Sequence, residues 1–114
     1  MGIDRHTISH SLLTDVKAYL GITWNDTVTD NRIRGFIASS MVYLDGKLGA
    51  AADYEVDGAP RELLMERVRY ARDSALDVFE NNYMSQIVAM QNDKKVSDYV
   101  ANAKQTEQCN LTDI

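Results

Sequence analysis

The feature that most constrains this chain is a series of segments in which apolar residues recur every three or four positions. A short segment covers Leu13 to Ile22, a second runs from about Asp30 to Leu48, and a third from about Pro60 to Tyr83. This spacing places apolar side chains on one face of an α-helix. We therefore predict an all-α fold, a small bundle of three main helices (the first short, the second and third long) with a C-terminal extension.

Residues that favour helix ends bound these segments. Ser11 or Thr14 can cap the first helix, because a side-chain oxygen there accepts a hydrogen bond from an otherwise unpaired amide. Gly21 and Gly49 fit the positions just past a helix end, where positive φ is required. Pro60 fits a first helical position, where its missing amide costs nothing. The sequence thus predicts where each of the three helices begins or ends.

The polarity of the chain divides it into three parts. Residues 1–11 are polar and are predicted to be a flexible leader, and residues 12–91 form the helical domain. Residues 84–90 fit either a helical extension or a short extended segment. Residues 92–114 are predicted to be a polar tail, in which Val96, Tyr99, Val100 and Ala103 recur at helix-like spacing. Its end, residues 105–114, is expected to be unstructured in isolation and to become ordered on binding a partner.

Composition excludes several classes of function. The formal net charge is −5, whereas proteins that grip nucleic acid carry a basic surplus that neutralises phosphates. No apolar run has the roughly 18 residues that a membrane span needs. Cys109 is the only cysteine, so it forms no internal disulfide and a reducing compartment is the simpler expectation. We read it as an incidental thiol.

No group of residues has the spacing of a catalytic, cofactor or metal site. His6 and His10 lie four apart, but no cysteine or second acidic cluster completes a metal site. Three carboxylates make the segment between the second and third helices acidic. Glu62 is at the wrong distance to close a calcium loop. The sequence therefore predicts a protein without enzymatic activity, cofactor or metal. The acidic residues of that segment are Asp53, Glu55 and Asp57.

The third predicted helix has an apolar arc wider than one partner helix requires. It could pack against two helices of its own chain, or one flank could meet another subunit. Arg67 and Arg72 flank the arc and either bind an anionic partner or cover apolar surface with their stems. The residues that we predict for subunit contact are Val42, Tyr43, Leu63, Tyr70 and Leu76.

The order of these segments resembles that of the phage head–tail connector family, the small helical adaptors of long-tailed bacteriophages and prophages. The opening Leu-x-x-Val-Lys-Ala-Tyr-Leu-Gly-Ile, at residues 13–22, resembles the family's first helix, and a polar turn follows at 25–30. A long helix with small residues and a tyrosine follows at 38–44, then Arg-Glu-Leu-Leu at 61–64 and Phe-Glu-Asn at 79–81. The resemblance covers about residues 12–91. It fails at Asn82, where relatives often have a basic residue, and beyond Asp93.

The resemblance implies a structural role in the virion. Copies of such an adaptor dock as a ring beneath the portal protein, which is twelve-fold, so a dodecamer is implied. The ring extends the DNA channel, lets DNA pass without specific binding and receives a tail-completion or stopper protein. It would be found at the head–tail interface, and in the host cytoplasm during assembly. We expect the acidic segment to lie near the channel or its tail-side rim, since like charge keeps DNA from sticking.

A second hypothesis is a small helical regulator or antitoxin-like binding module that dimerises through the third helix. The acidic charge disfavours it, as does the lack of a short turn between two compact helices with basic residues on the second.

Overall fold

The regular secondary structure of the described residues is all α-helical. The computed structural model describes residues 8–112, with side chains as far as residue 101. These residues form α1 (His10–Leu20), α2 (Thr27–Leu48), α3 (Ala59–Arg72) and α4 (Leu76–Thr112), and contain no strand. The predicted all-α class is confirmed, but four helices replace the predicted three with an extension. His6 lies outside the described residues, as does the side chain of Cys109.

Helix α1 begins earlier than its sequence predicts. The N-cap is Ser9, whose Oγ accepts a hydrogen bond from the Leu12 amide at 3.0 Å. The prediction that Ser11 or Thr14 caps the helix is therefore wrong; Thr14 Oγ1 instead donates to the His10 carbonyl at 2.8 Å. Ile8 is buried in the core, so residues 8–11 belong to the folded domain rather than to a leader.

Two glycines end the first two helices as predicted. Gly21 adopts φ 76° after α1, and the Ile22 amide donates to the Lys17 carbonyl at 2.9 Å. Ile22 thereby folds back over the helix end and is buried. Gly49 adopts φ 76° after α2, and its amide donates to the Asp45 carbonyl at 2.8 Å. These left-handed positions favour glycine because it has no Cβ to clash.

The predicted third helix is divided in two, which is a correction to the sequence analysis. Helix α3 ends at Arg72, and Ser74 takes the left-handed conformation with φ 57°. The Ala75 amide donates to the Tyr70 carbonyl at 2.8 Å and the Ser74 amide to the Ala71 carbonyl at 3.1 Å. This pair of bonds is the Schellman motif, here formed with a serine where glycine is usual.

The core is centred on α2 and α3, and α1 and α4 each pack against both of these helices. Its fully buried side chains come from every helix, because each presents apolar residues at helical spacing. A partly buried ion pair joins α1 to α2: Lys17 Nζ lies 2.8 Å from Asp30 Oδ1 and donates to Asn25 Oδ1 at 3.2 Å. The contact with Asp30 is ionic and lacks hydrogen-bond geometry. The largest fully buried side chains are Phe79, Leu12, Leu13, Ile33, Ile37, Leu44, Leu64 and Ile87.

Helix α4 differs most from expectation. It has 37 residues and is about 55 Å long at 1.5 Å per residue. Residues 92–112, which the sequence predicts to be part of a polar tail, belong to this helix. The short extended segment considered for residues 84–90 is likewise helical. Residues 76–112 contain no glycine or proline, the residues that most often interrupt a helix.

Candidate subunit interface

An aromatic cluster fixes three helices to one another. Phe79 of α4 is its buried centre and contacts Tyr43 of α2 and Tyr70 of α3 edge-on, with ring centroids 6.4 Å and 5.9 Å apart. Tyr83 stacks on Phe79 at 5.0 Å, and its hydroxyl donates to Glu66 Oε2 at 2.8 Å. Such pairs add to the free energy of burial, so the cluster sets the position of α4 on the bundle.

Arg67 is buried beside this cluster. Its guanidinium lies 4.4 Å from the Tyr43 ring centroid, and Nη1 donates to Ser40 Oγ at 3.0 Å. Burial lowers the pKa of Arg67 and raises the pKa of Tyr43. Arg67 therefore covers core surface and is not free to bind an anionic partner. Arg72 is exposed and donates from Nη1 to the Leu20 carbonyl at 3.5 Å, at the C-terminal end of α1.

The five residues predicted for subunit contact fall into three groups. Val42 and Leu76 are 41% and 38% exposed, so their apolar surface is free in the protomer. Tyr43 and Tyr70 are partly buried and belong to the aromatic cluster. Leu63 is only 3% exposed, because the side of α3 that carries it faces the core, and we leave it out of the candidate interface. The structure does not gather the five residues into one patch.

A buried tyrosine anchors the acidic segment between α2 and α3 to the core. Tyr54 is in the core, and its hydroxyl donates to Asp45 Oδ1 at 2.7 Å. The same carboxylate oxygen accepts from the Ala52 amide at 3.1 Å. Burial, then the hydrogen bond to Asp45, raises the pKa of Tyr54. The segment is thus a fixed loop and not a loose connection.

Ser9 joins the loop to the start of α1, and Arg61 of α3 lies between α1 and the end of the loop. Glu55 Oε1 accepts from Ser9 Oγ at 2.6 Å, so one serine both caps α1 and holds the loop. Arg61 Nη2 lies 2.6 Å from Asp15, and its Nε lies 3.9 Å from Asp57. The three carboxylates at 53, 55 and 57 remain exposed. The loop therefore presents negative charge to solvent from a defined position.

The sequence does not predict an interaction surface on α4, although apolar residues recur at helical spacing from Val96 to Val100. Past Lys94 no side chain of α4 is buried through residue 101. Val96 is 62% exposed and Tyr99 is 74% exposed, and Val100 is also exposed. The spacing of these three residues is typical of an apolar helix face, but the polar residues around them favour a tail.

An open groove of about 480 Å³ lies between α3 and α4. Its lining includes Leu63, Tyr83 and Met90, with Glu62 and Asp93 among its polar members.

The described residues contain no group of three or more His, Cys, Asp or Glu placed to hold a metal ion. None of the described helices has the uninterrupted apolar length that crossing a lipid bilayer requires.

Comparisons with protein-family models, with curated proteins and with solved structures found no match to this chain. The resemblance to head–tail connectors therefore remains a prediction from the sequence.

Proposed function

We propose that this protein is a structural adaptor of a long-tailed phage or prophage. Copies form a ring beneath the portal, extend the DNA channel and carry the next tail-completion protein. The observation that most supports this role is the apolar surface left outside the core on separate helices. Val42 on α2 and Leu76 on α4 are exposed, and a ring needs more than one contact patch on each subunit.

The acidic loop supports the proposal through its charge and its rigidity. The loop that carries them is anchored by three hydrogen bonds: Tyr54 donates to Asp45, Ser9 donates to Glu55, and Arg61 donates to the Tyr54 carbonyl. We propose that this loop lines the channel or its tail-side rim, where negative charge repels the DNA backbone and prevents adhesion. The Arg61 Nη1 contact with the Tyr54 carbonyl, at 3.0 Å, holds the loop against the start of α3.

Charge variants of the loop test its placement. Changing Asp53, Glu55 and Asp57 to lysine is expected to slow DNA passage or to weaken connector assembly, measured as phage titre in a complementation assay. The triple change to Asn, Gln and Asn removes the charge while keeping acceptors for the loop's hydrogen bonds, so it separates charge from folding. A charge-matched control replaces exposed carboxylates elsewhere, at Asp73, Asp77 and Asp98. Unchanged titre with both loop variants would contradict the placement.

The mass of the full chain in solution tests the adaptor role itself. Light scattering over a concentration series, with and without purified portal rings, is expected to show a closed ring on the portal. A chain that forms rings unaided gives the same conclusion. A fixed dimer that ignores the portal and is retained on heparin would contradict the adaptor and favour the dimeric regulator.

A further inference from the structure

A second hollow continues the groove between α3 and α4. It has a volume of about 460 Å³ and lies between α4 and the segment that leads from α2 into α3. The two hollows share Ala59, Met90 and Asp93 among their lining residues, so they meet there and form one trough. From Tyr83 to Asp93 the trough follows α4 for about 15 Å.

The trough has an apolar floor and apolar side chains at both ends. Leu63 and Met90 line it and are buried, so they form its floor. Tyr19, in the first hollow, is 45% exposed, and Val56, in the second, is 56% exposed. A concave apolar surface of this kind is typical of a site that receives the apolar side chains of a partner.

The charge around the trough is negative. Five carboxylates and one lysine are among its lining residues. Two of the carboxylates and the lysine have ion-pair partners outside the trough. The other three carboxylates make no ion pair with any residue that the structure describes. They lie in the first hollow, where the hollows meet and in the second hollow, at Glu62, Asp93 and Asp53 respectively.

Floor and charge together indicate what binds here. Nucleic acid and anionic lipid are repelled by the three carboxylates. A wholly apolar segment would cover these carboxylates without pairing them, which costs free energy. A segment that carries Lys or Arg beside apolar residues avoids both penalties, because its cations pair with the carboxylates while its apolar side chains fill the hollows.

We propose that the trough binds a short basic segment of a partner protein, with apolar side chains on the floor and Lys or Arg at the carboxylates. About five residues of extended chain span 15 Å. Alternate side chains of such a segment face the floor, and the Lys and Arg stems between them are long enough to reach the carboxylates. This inference goes beyond the proposed function and does not depend on ring formation.

Fluorescence anisotropy with synthetic peptides tests the chemistry of the trough. The probe is a fluorescein-labelled peptide of about seven residues in which Lys and Leu alternate, long enough to span the trough. Micromolar binding to the full-length chain is expected. Peptides with Glu in place of Lys, or with Ser in place of Leu, are expected to bind at least about ten-fold more weakly. Equal binding of the three peptides, or no binding of the first at millimolar concentration, would overturn the proposal.

A pair of charge-matched variants tests the location. Glu62→Gln with Asp93→Asn removes two carboxylates from the trough and is expected to weaken binding of the Lys–Leu peptide about ten-fold. Asp73→Asn with Asp77→Asn makes the same change in net charge at exposed positions outside the trough and is expected to change binding less than about two-fold. Circular dichroism establishes that both variants fold. Equal losses would overturn the proposal, since the peptide would then respond only to net charge.

Amide chemical shifts of the ¹⁵N-labelled chain show where the peptide lies. The largest changes are expected in residues 59–66 of α3 and 83–94 of α4. Changes confined to other parts of the chain would overturn the proposal, as would self-association that displaces the peptide and so assigns the trough to a second copy. The chain is measured without portal rings, so failure here leaves the proposed adaptor role standing, and failure of that role leaves this result standing.

Discussion

The two halves of α4 have the same regular backbone but bury very different amounts of side chain. From Leu76 to Lys94 the helix contributes Phe79, Ile87 and Met90 to the core. From Lys95 to residue 101 it buries none, and Val96 and Tyr99 are mostly exposed. The first half is thus held by the bundle, whereas the second half extends beyond it.

This difference shows that the role of an apolar helix face depends on what packs against it. In the first half, apolar residues at helical spacing secure the fold by removing their surface from water. In the second half the same kind of spacing leaves apolar surface available for association. Stability and assembly are therefore expected to depend on different residues of one helix.

The largest expected difference in the free energy of unfolding comes from removing one aromatic ring from each half of α4. Phe79→Ala empties the centre of the aromatic cluster and is expected to lower the free energy of unfolding by about 4 kcal/mol. Tyr99→Ala removes an exposed ring and is expected to change it by less than about 0.5 kcal/mol. Urea unfolding of the two variants measures both values. Equal losses would mean that the second half is packed like the first.

A smaller difference in stability is expected when either of two lysines is replaced by alanine. Lys17→Ala leaves the partly buried Asp30 carboxylate, which is 22% exposed, without its ionic partner and is expected to cost about 2 kcal/mol. Lys95→Ala changes an exposed residue in the second half of α4 and should have almost no effect. Thermal unfolding at low and high salt compares them. A negligible loss for Lys17→Ala would show that the ion pair is not needed to hold α1 on α2.

Alkaline pH is expected to weaken the bundle through Tyr54. Its pKa is raised in the folded protein by burial, so the phenol's contribution is complete below its unfolded pKa near 10 and falls as pH rises above that value. By pH 11 the loss is about 1.4 kcal/mol. Tyr54→Phe, compared with wild type at pH 9 and pH 11, should show a smaller decrease. An identical decrease would assign the effect to other tyrosines.

The smallest expected effect concerns the residue that separates α3 from α4. Ser74 has φ 57°, a conformation that costs a non-glycine residue about 1 kcal/mol. Ser74→Gly is therefore expected to stabilise the fold by about 0.5–1 kcal/mol. The control Ser85→Gly lies inside α4 and should destabilise it by a similar amount. If Ser74→Gly does not stabilise the fold, the backbone at Ser74 is not strained.

The sequence predicted those features that rest on strong local signals. Gly21 and Gly49 end helices because few other residues take their backbone conformation without strain. The break at Ser74 was missed because serine carries no such signal and the apolar spacing continues across it. Ser9 was missed as the cap because three polar residues near the start of α1 compete for that position.

The candidate site was less predictable for a related reason. Leu63 and Val42 are both apolar residues on helices, and only packing decides that the first is buried and the second exposed. Arg67 is buried because Ser40 and Tyr43 come to it from another helix. Contacts of this kind depend on how the helices are arranged, which the spacing of residues along one helix does not determine.

Hydrogen exchange of the full chain, alone and bound to portal rings, tests the account most directly. In the free chain, amides of the first half of α4 are expected to exchange slowly and those beyond residue 94 quickly. On the portal, residues 95–101 should become protected by at least ten-fold while the first half changes little. Unchanged exchange in the second half of α4, in a chain bound to the portal, would contradict the account.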